Sequence, residues 1–499
     1  MNRFEAYHLK CLQIQMIFVN LQIIYELLRI YMKQALILFV SLAFCFPMMS
    51  SAETKMAYSF GVLSDTHIDG VNGQNCEEKL RNAFSQLKAQ AAKNDADGLD
   101  GVFIAGDLIN YGGYLDKQIS AFKSIYEEAF DPENTPLVYA IGNHDPNTSY
   151  WWNSSVYQFA ATMRSKFGNR YETADIETVM RDSYECRHCI IGGYHILAVT
   201  PDSTMPVAYP TEVCRWLDST LKSITEAEPE RYVIVITHPM IYDTVYGSLL
   251  GPEWMSGKLK DQWSTSALTS ILRKYPQVIT FGGHLHFPIN DPRSIWQGDF
   301  TALGCGSTRY MAIEDGGYED MAKTTVMKDA ADISSGLLLQ FDENGNARIT
   351  KMFFSQSTTF GRPWEITHPT ADGSHLKTYN HETLKQADKA PVLKNLRINR
   401  NGNSFVAVFK AASDDEFVHH YILTLKKDGE IVAAKRILSD FYRNPTASGM
   451  KKIWEQPLGQ LVPGSYELTL VAEDSWGKQS EPLTKTFSAN GNSSLSIVK

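Results

Sequence analysis

The chain has 499 residues, more than one ordinary domain holds, with 43% hydrophobic residues and a formal net charge of −9. That composition is globular, and an acidic chain without a basic tract argues against a non-specific nucleic-acid binder. It leaves room for a phosphorylated substrate, because a local metal site can outweigh the overall charge.

The first predicted element is a leader. From Met32 the chain reads MKQALILFVSLAFCFPMMSSAE, with Lys33, an apolar run from Ala35 to Phe46, and the small residues Ser50, Ser51 and Ala52. This is a secretory signal pattern, so residues 32–52 are expected to be removed on export to a periplasm or the extracellular space. Translation is expected to begin at Met32, which leaves residues 1–31 as an upstream addition. The competing reading is an uncleaved anchor, if the two apolar pieces join to spanning length.

Six short apolar runs follow: YSFGVL, GVFIAG, LVYAIG, HILAVT, YVIVIT and VITFGG. Each is rich in Val, Ile, Phe or Tyr and ends near Gly or Asp, as buried strands do. Helical patterns lie between several of them, at 75–93, 211–222 and 266–274. In the first, Leu80, Ala83, Phe84, Leu87 and Ala91 share a face, and Asn75 with Glu78 reads as a capping pair. Strands alternating with helices predict an α/β domain with a covered sheet. Beyond residue 290 helices fade, and GLLLQFDENGNARITKMFF predicts a hairpin turning near Asn344-Gly345. The catalytic domain is assigned to 53–365 and a polar linker to 366–390. Alternating strands at 391–488 predict an all-β immunoglobulin- or fibronectin-like sandwich, ahead of a tail at 489–499. That sandwich is expected to bind a partner or a glycan, or to pack on the catalytic domain.

Seven cysteines are present, two of them in the leader. The remaining five leave at least one thiol unpaired in a monomer. Cys186 and Cys189 form a lone C-x-x-C, which does not make a structural zinc site and leaves a local disulfide open.

The chemistry lies at the ends of the apolar runs. YSFGVL leads to Asp65 and His67, GVFIAG to Asp107, and LVYAIG to Asn143, His144 and Asp145. YVIVIT leads to His238, and VITFGG to His284 and His286. In α/β sheets, ligands gather outside the carboxyl ends of strands. Such a set of carboxylates, imidazoles and one amide exceeds what one ion needs and fits two ions sharing a carboxylate. Mixed N and O donors favour Zn, Fe or Mn over Ca or Mg. The i, i+2 spacing of D-x-H and H-x-H lets both side chains face one way on an extended backbone, and the flanking glycines allow close approach.

The order D-x-H, G-D, G-N-H-D, H, G-H-x-H resembles the calcineurin-like metallophosphoesterases over about residues 56–360. The resemblance implies two mixed β-sheets packed as a sandwich and flanked by helices. It implies two metal ions: one held by Asp65, His67, Asp107 and His286, the other by Asp107, Asn143, His238 and His284, with Asp107 bridging. A hydroxide bridging the ions would then attack the phosphorus of a small phosphate mono- or diester in line. His144 would assist the leaving group, and Asp145 is expected to hold its other ring nitrogen. Purple acid phosphatases carry glycine where His67 stands and a tyrosine ligand where Asn110 stands, with Tyr111 one place later, so the resemblance leads away from that branch. Asn110, Tyr111, Trp151 (beside Tyr150 and Trp152) and Arg309 are candidate substrate contacts. The alternative function is a non-catalytic metal-binding scaffold or binding protein on the same fold.

Overall fold

The computed structural model describes residues 55–489 apart from 70–74, 96, 111–113, 147–155, 168–176, 181–184, 202–207, 250–263, 315–323, 327–330 and 402–403. The predicted leader, Tyr111, Tyr150, Trp151, Trp152 and nearly all of the tail lie outside the described residues.

Two mixed sheets carry the site. In the first, Tyr58–Leu63, Gly101–Ala105 and Leu137–Ala140 run parallel, and Ser335–Phe341 lies antiparallel beside Tyr58–Leu63. In the second, Tyr194–Val199, Val233–Thr237, Val278–Gly282 and Thr301–Gly304 run parallel, with antiparallel strands at both edges. The runs look uniformly apolar because both faces are packed, and in the first sheet the two faces serve two different cores. Phe103, Ala105, Val138 and Ala140 pack with Ile196, Ile234, Ile236 and Phe281 of the other sheet. Val102, Ile104, Leu137 and Tyr139 point the other way, onto helices. The period of two along these first-sheet strands thus assigns every second residue to each core.

Helix Cys76–Ala91 buries Leu80, Ala83, Phe84, Leu87 and Ala91 in the outer core, the face that the periodicity predicts. The predicted capping pair does not form: Asn75 is left-handed and its side chain makes no cap hydrogen bond. Helix Thr211–Ala227 is longer than predicted, and the predicted helix at 266–274 shrinks to Thr269–Leu272. The hairpin pairs Ser335–Phe341 with Ala347–Phe353, and Asp342 closes its turn by accepting from the amides of Asn344 and Asn346. Cys186 and Cys189 both lie on strand Glu185–Ile191, three residues apart and so on opposite faces, which rules out the local disulfide.

The C-terminal region is all antiparallel strand. Leu396–Asn401, Ser404–Lys410 and Ile453–Gln460 form one sheet. Glu430–Leu438, Val418–Lys427, Gly464–Asp474 and Leu483–Ala489 form the other. They enclose their own core around Leu423, Leu468 and Phe487. Phe441 and Tyr442, however, join the core of the first region. Polar contacts reinforce that seam: Tyr246 Oη lies 3.0 Å from His419 Nε2, Ser475 Oγ donates to Asp291 Oδ2 at 3.0 Å, and Asn290 Nδ2 donates to the Phe441 carbonyl at 2.8 Å.

Candidate metal centre

Asp65, Asp107 and Asn143 follow the three parallel strands of the first sheet, and His238, His284 and His286 follow two strands of the second. The carboxyl ends of both sheets therefore meet over one cleft. Asp65, His67, Asp107, His238 and His286 are buried, while Asn143, His144 and His284 are half-buried.

The ligand atoms form two groups. Asp65, His67 and His286 bring one donor atom each within 4.8 Å of one another, and so do Asp107, His238 and His284. His286 Nε2 lies 3.1 Å from Asp65 Oδ1 and 3.4 Å from His67 Nε2. Asp107 Oδ2 lies between the groups, 3.6 Å from His67 Nε2 and 3.4 Å from His238 Nε2. Asn143 Oδ1 is 2.9 Å from His238 Nε2. The structure thus gathers all seven residues around one cleft, with Asp107 Oδ2 within 3.6 Å of His67 Nε2 and 3.4 Å of His238 Nε2.

The outer atoms are committed to the protein. Asp65 Oδ2 accepts from Ser64 Oγ at 2.7 Å and from the His284 amide at 3.0 Å. Asp107 Oδ1 accepts from the His144 amide at 2.8 Å. His238 Nδ1 pairs with the Ala105 carbonyl at 2.8 Å, and His286 Nδ1 with the Tyr310 carbonyl at 3.2 Å. Donation to a carbonyl leaves Nε2 of a neutral ring with a lone pair facing the cleft; against burial, the Asp107 carboxylate raises His238 to about 9, so an ion there must displace a proton. Asp65 Oδ1, buried and close to two imidazoles, makes no hydrogen bond at all. Lone pairs crowded this closely, one of them on an orphaned buried carboxylate oxygen, fit divalent or trivalent cations.

Electrostatics agree. Burial acts to raise both carboxyls, but neighbouring imidazoles outweigh it. His286, His67 and His238 hold Asp65, and His238, His144 and His67 hold Asp107, well below the usual carboxylate range. Burial pushes His67 down to about 3, which leaves it a neutral ligand.

The backbone corrects one expectation. Asp65, His67, Asp107, His284 and His286 are left-handed, with φ from 45° to 71°, and none is extended. They make up five of the nine described non-glycine residues with positive φ. Such a conformation costs about 1–3 kcal/mol per residue and persists only where the surroundings impose it. Cross-loop hydrogen bonds do so here: the Asp65 amide donates to the Gly106 carbonyl, and the His67 amide to the Asp107 carbonyl.

The flanking glycines do allow the close approach. A Cβ on Gly142 would sit 2.2 Å from Asp107 Oδ1, and one on Gly283 would sit 1.7 Å from Ser64 Oγ. Gly142→Ala is therefore expected to displace Asp107 and weaken metal binding about 10–100-fold, as loss of outer support does. Metal titration by calorimetry reads this directly, and wild-type affinity would show that the loop yields.

Asp145 does not hold His144. It is buried, and its two oxygens accept from the amides of Ile109 and Gly142 at 3.0 and 2.8 Å. Burial first, and then the Asp107 carboxylate, push it up to about 8. It ties two strand-end loops together. His144 Nδ1 pairs instead with the Asn110 carbonyl at 2.9 Å, and its ring stands edge-on to His67 at 4.6 Å. Arg309 Nη1 donates to Asn110 Oδ1 at 2.8 Å. Two supporting residues escape the sequence reading: Ser64, and Tyr310, whose ring stacks on His286 at 4.2 Å. Their signal is adjacency alone, Ser64 to Asp65 and Tyr310 to Arg309.

Residues 58–288 match the family model described as calcineurin-like phosphoesterase. No curated protein matches the sequence. Among solved structures, a dimetal phosphatase from Danio rerio aligns at 11% identity over 63% of this chain and 100% of its own, with TM-score 0.41. A purple acid phosphatase from yellow lupin (Lupinus luteus) seeds aligns at 16% identity over 65% of this chain and 56% of its own, with TM-score 0.41.

Proposed function

Residues 58–288 belong to the calcineurin-like phosphoesterase family, and from that premise we propose that this chain is an exported phosphoesterase that holds two metal ions and hydrolyses a small phosphate mono- or diester. The observation that carries the reading is Asp107 Oδ2, set between two groups of His and Asp donors. Asp65, His67, Asp107 and His286 would hold one ion, and Asp107, Asn143, His238 and His284 the other. Bound there, Mn, Fe or Zn would supply Lewis acidity to the phosphoryl oxygens and acidify a shared water.

The chain's own residues do the rest. Asp107 and Asp65 stay ionised in the buried site, held so by the imidazoles around them. His144 stands beside His67 with its Nδ1 committed to a carbonyl, so Nε2 is the atom that passes a proton. The water oxygen gives up a proton to solvent and bonds to phosphorus, the bond from phosphorus to the leaving oxygen breaks, and His144 passes that oxygen a proton from Nε2, which it then recovers from solvent. Export through residues 32–52 belongs to the same proposal.

The test uses protein from Glu53 onward, loaded with Mn²⁺ or Zn²⁺. Hydrolysis of p-nitrophenyl phosphate is compared with that of bis-p-nitrophenyl phosphate, with His144→Ala as control. One ester is expected to be preferred, and its turnover to fall about 10²–10⁴-fold in the variant. Stoichiometric metal without turnover of either ester would favour the non-catalytic metal-binding scaffold over the enzyme. Neither metal nor turnover would overturn the proposal.

A further inference from the structure

We propose that Arg309 is a positioning residue for His144, acting through Asn110 rather than on substrate; this rests on the phosphoesterase reading above. Arg309 lies in the loop after strand Thr301–Gly304. Its main chain is pinned on both sides: its amide donates to Ser307 Oγ at 3.0 Å, and its carbonyl accepts from Lys79 Nζ. The side chain leaves from that fixed base, and Nη1 meets Asn110 Oδ1 at 2.8 Å.

Asn110 is bracketed in turn. Its amide donates to the Ile68 carbonyl at 3.0 Å and to Gln118 Oε1 at 3.1 Å. Its own carbonyl pairs with His144 Nδ1 at 2.9 Å. With its amide and side chain both engaged, Asn110 has its Cα and Cβ held in place, and so the base from which its carbonyl reaches His144. The Nδ1–H of His144 is thereby fixed in direction, and Nε2 keeps its aim. Arg309 supplies the one bracket that comes from a distant part of the chain and ends in a side chain. The same loop also carries Tyr310, whose carbonyl pairs with His286 Nδ1. One loop thus braces both the proton donor and a metal ligand.

A substrate contact and a positioning residue differ in what their loss does. A residue that aims His144 matters most when the leaving oxygen needs a proton. Phenoxide is the stronger base, so phenyl esters need that proton more than p-nitrophenyl esters do. The experiment compares the two leaving groups, in whichever ester class the wild type hydrolyses, for Arg309→Met, Arg309→Lys and His144→Ala. It includes the double variant, with metal content and thermal midpoint as controls. Arg309→Met is expected to lower kcat on the phenyl ester about 10–100-fold with KM little changed, and to lower it less on the p-nitrophenyl ester. Arg309→Lys is expected to restore part of the loss, since its ammonium can still donate to Asn110. In the His144→Ala background, Arg309→Met is expected to add nothing. An equal loss on both esters carried by KM, or a further loss in that background, overturns the positioning role and leaves the enzyme reading intact. Metal-loaded wild type that turns over no ester, or His144→Ala with wild-type turnover on phenyl esters, overturns the reading beneath and the proposal with it.

Discussion

Asp107→Asn is expected to lose bound metal and hydrolysis together, with turnover falling about 10³-fold or more. The change keeps shape and one oxygen acceptor but removes the charge. Asp107 faces both groups with a single oxygen, Oδ2, 3.6 Å from His67 Nε2 and 3.4 Å from His238 Nε2. An amide nitrogen at Oδ2 would turn two N–H bonds toward His67 and His238. An amide nitrogen at Oδ1 would instead oppose the His144 amide, which now donates there. Either orientation spoils one side of the site. Atomic absorption on the purified variant, beside its hydrolysis rate, checks the coupling. Wild-type metal content with lost turnover would move Asp107 from holding ions to the chemistry alone. Unchanged turnover would remove its bridging role.

The second large effect is expected from deleting residues 391–499: the remaining chain should be insoluble. Phe441 and Tyr442, 1% and 5% exposed, would leave the core that they share with the site-bearing sheets. Losing one such aromatic typically costs about 3–5 kcal/mol, against a net stability of about 5–15 kcal/mol for a whole domain. The deletion would also strip Asp291 of Ser475, and Tyr246 of His419, at a buried seam. Phe441→Ala in the full chain is the milder form. It should lower the unfolding free energy by about 3–5 kcal/mol in a denaturant titration. A soluble deletion product with full turnover on small esters would instead give the C-terminal strands a separate role in binding.

Strand ends were the legible part of this chain. A parallel strand packed on both faces is apolar at nearly every position, so GVFIAG and YVIVIT stand out, and the polar residue beyond each marks the cleft. Backbone conformation at those ends was not legible. The left-handed turns at Asp65 and His67 are imposed by carbonyls some forty residues away, at Gly106 and Asp107, which no local pattern records. The same distance hid the partner of His144. Asp145 is its neighbour in sequence, while Asn110 is its neighbour in space. Helix Leu115–Ala129 went unread, although Ile119, Phe122, Ile125 and Tyr126 share its buried face. Glu430–Leu438 was also missed; mostly solvent-exposed, it shows little of the alternation by which its buried neighbours were found.

The left-handed ligands bear on how such a site could decay. Glycine relieves positive φ at no steric cost, whereas histidine and aspartate, though commoner there than most side chains, are still less at ease than glycine. Random substitution filtered only for foldedness would drift at these positions toward glycine, and each such step would make the metal-free chain more robust. Three histidines and two aspartates still stand where the backbone is least hospitable to side chains. Glycine would suit the backbone better at all five positions, so it is the proposed ion binding, which needs their donor atoms, that accounts for these side chains.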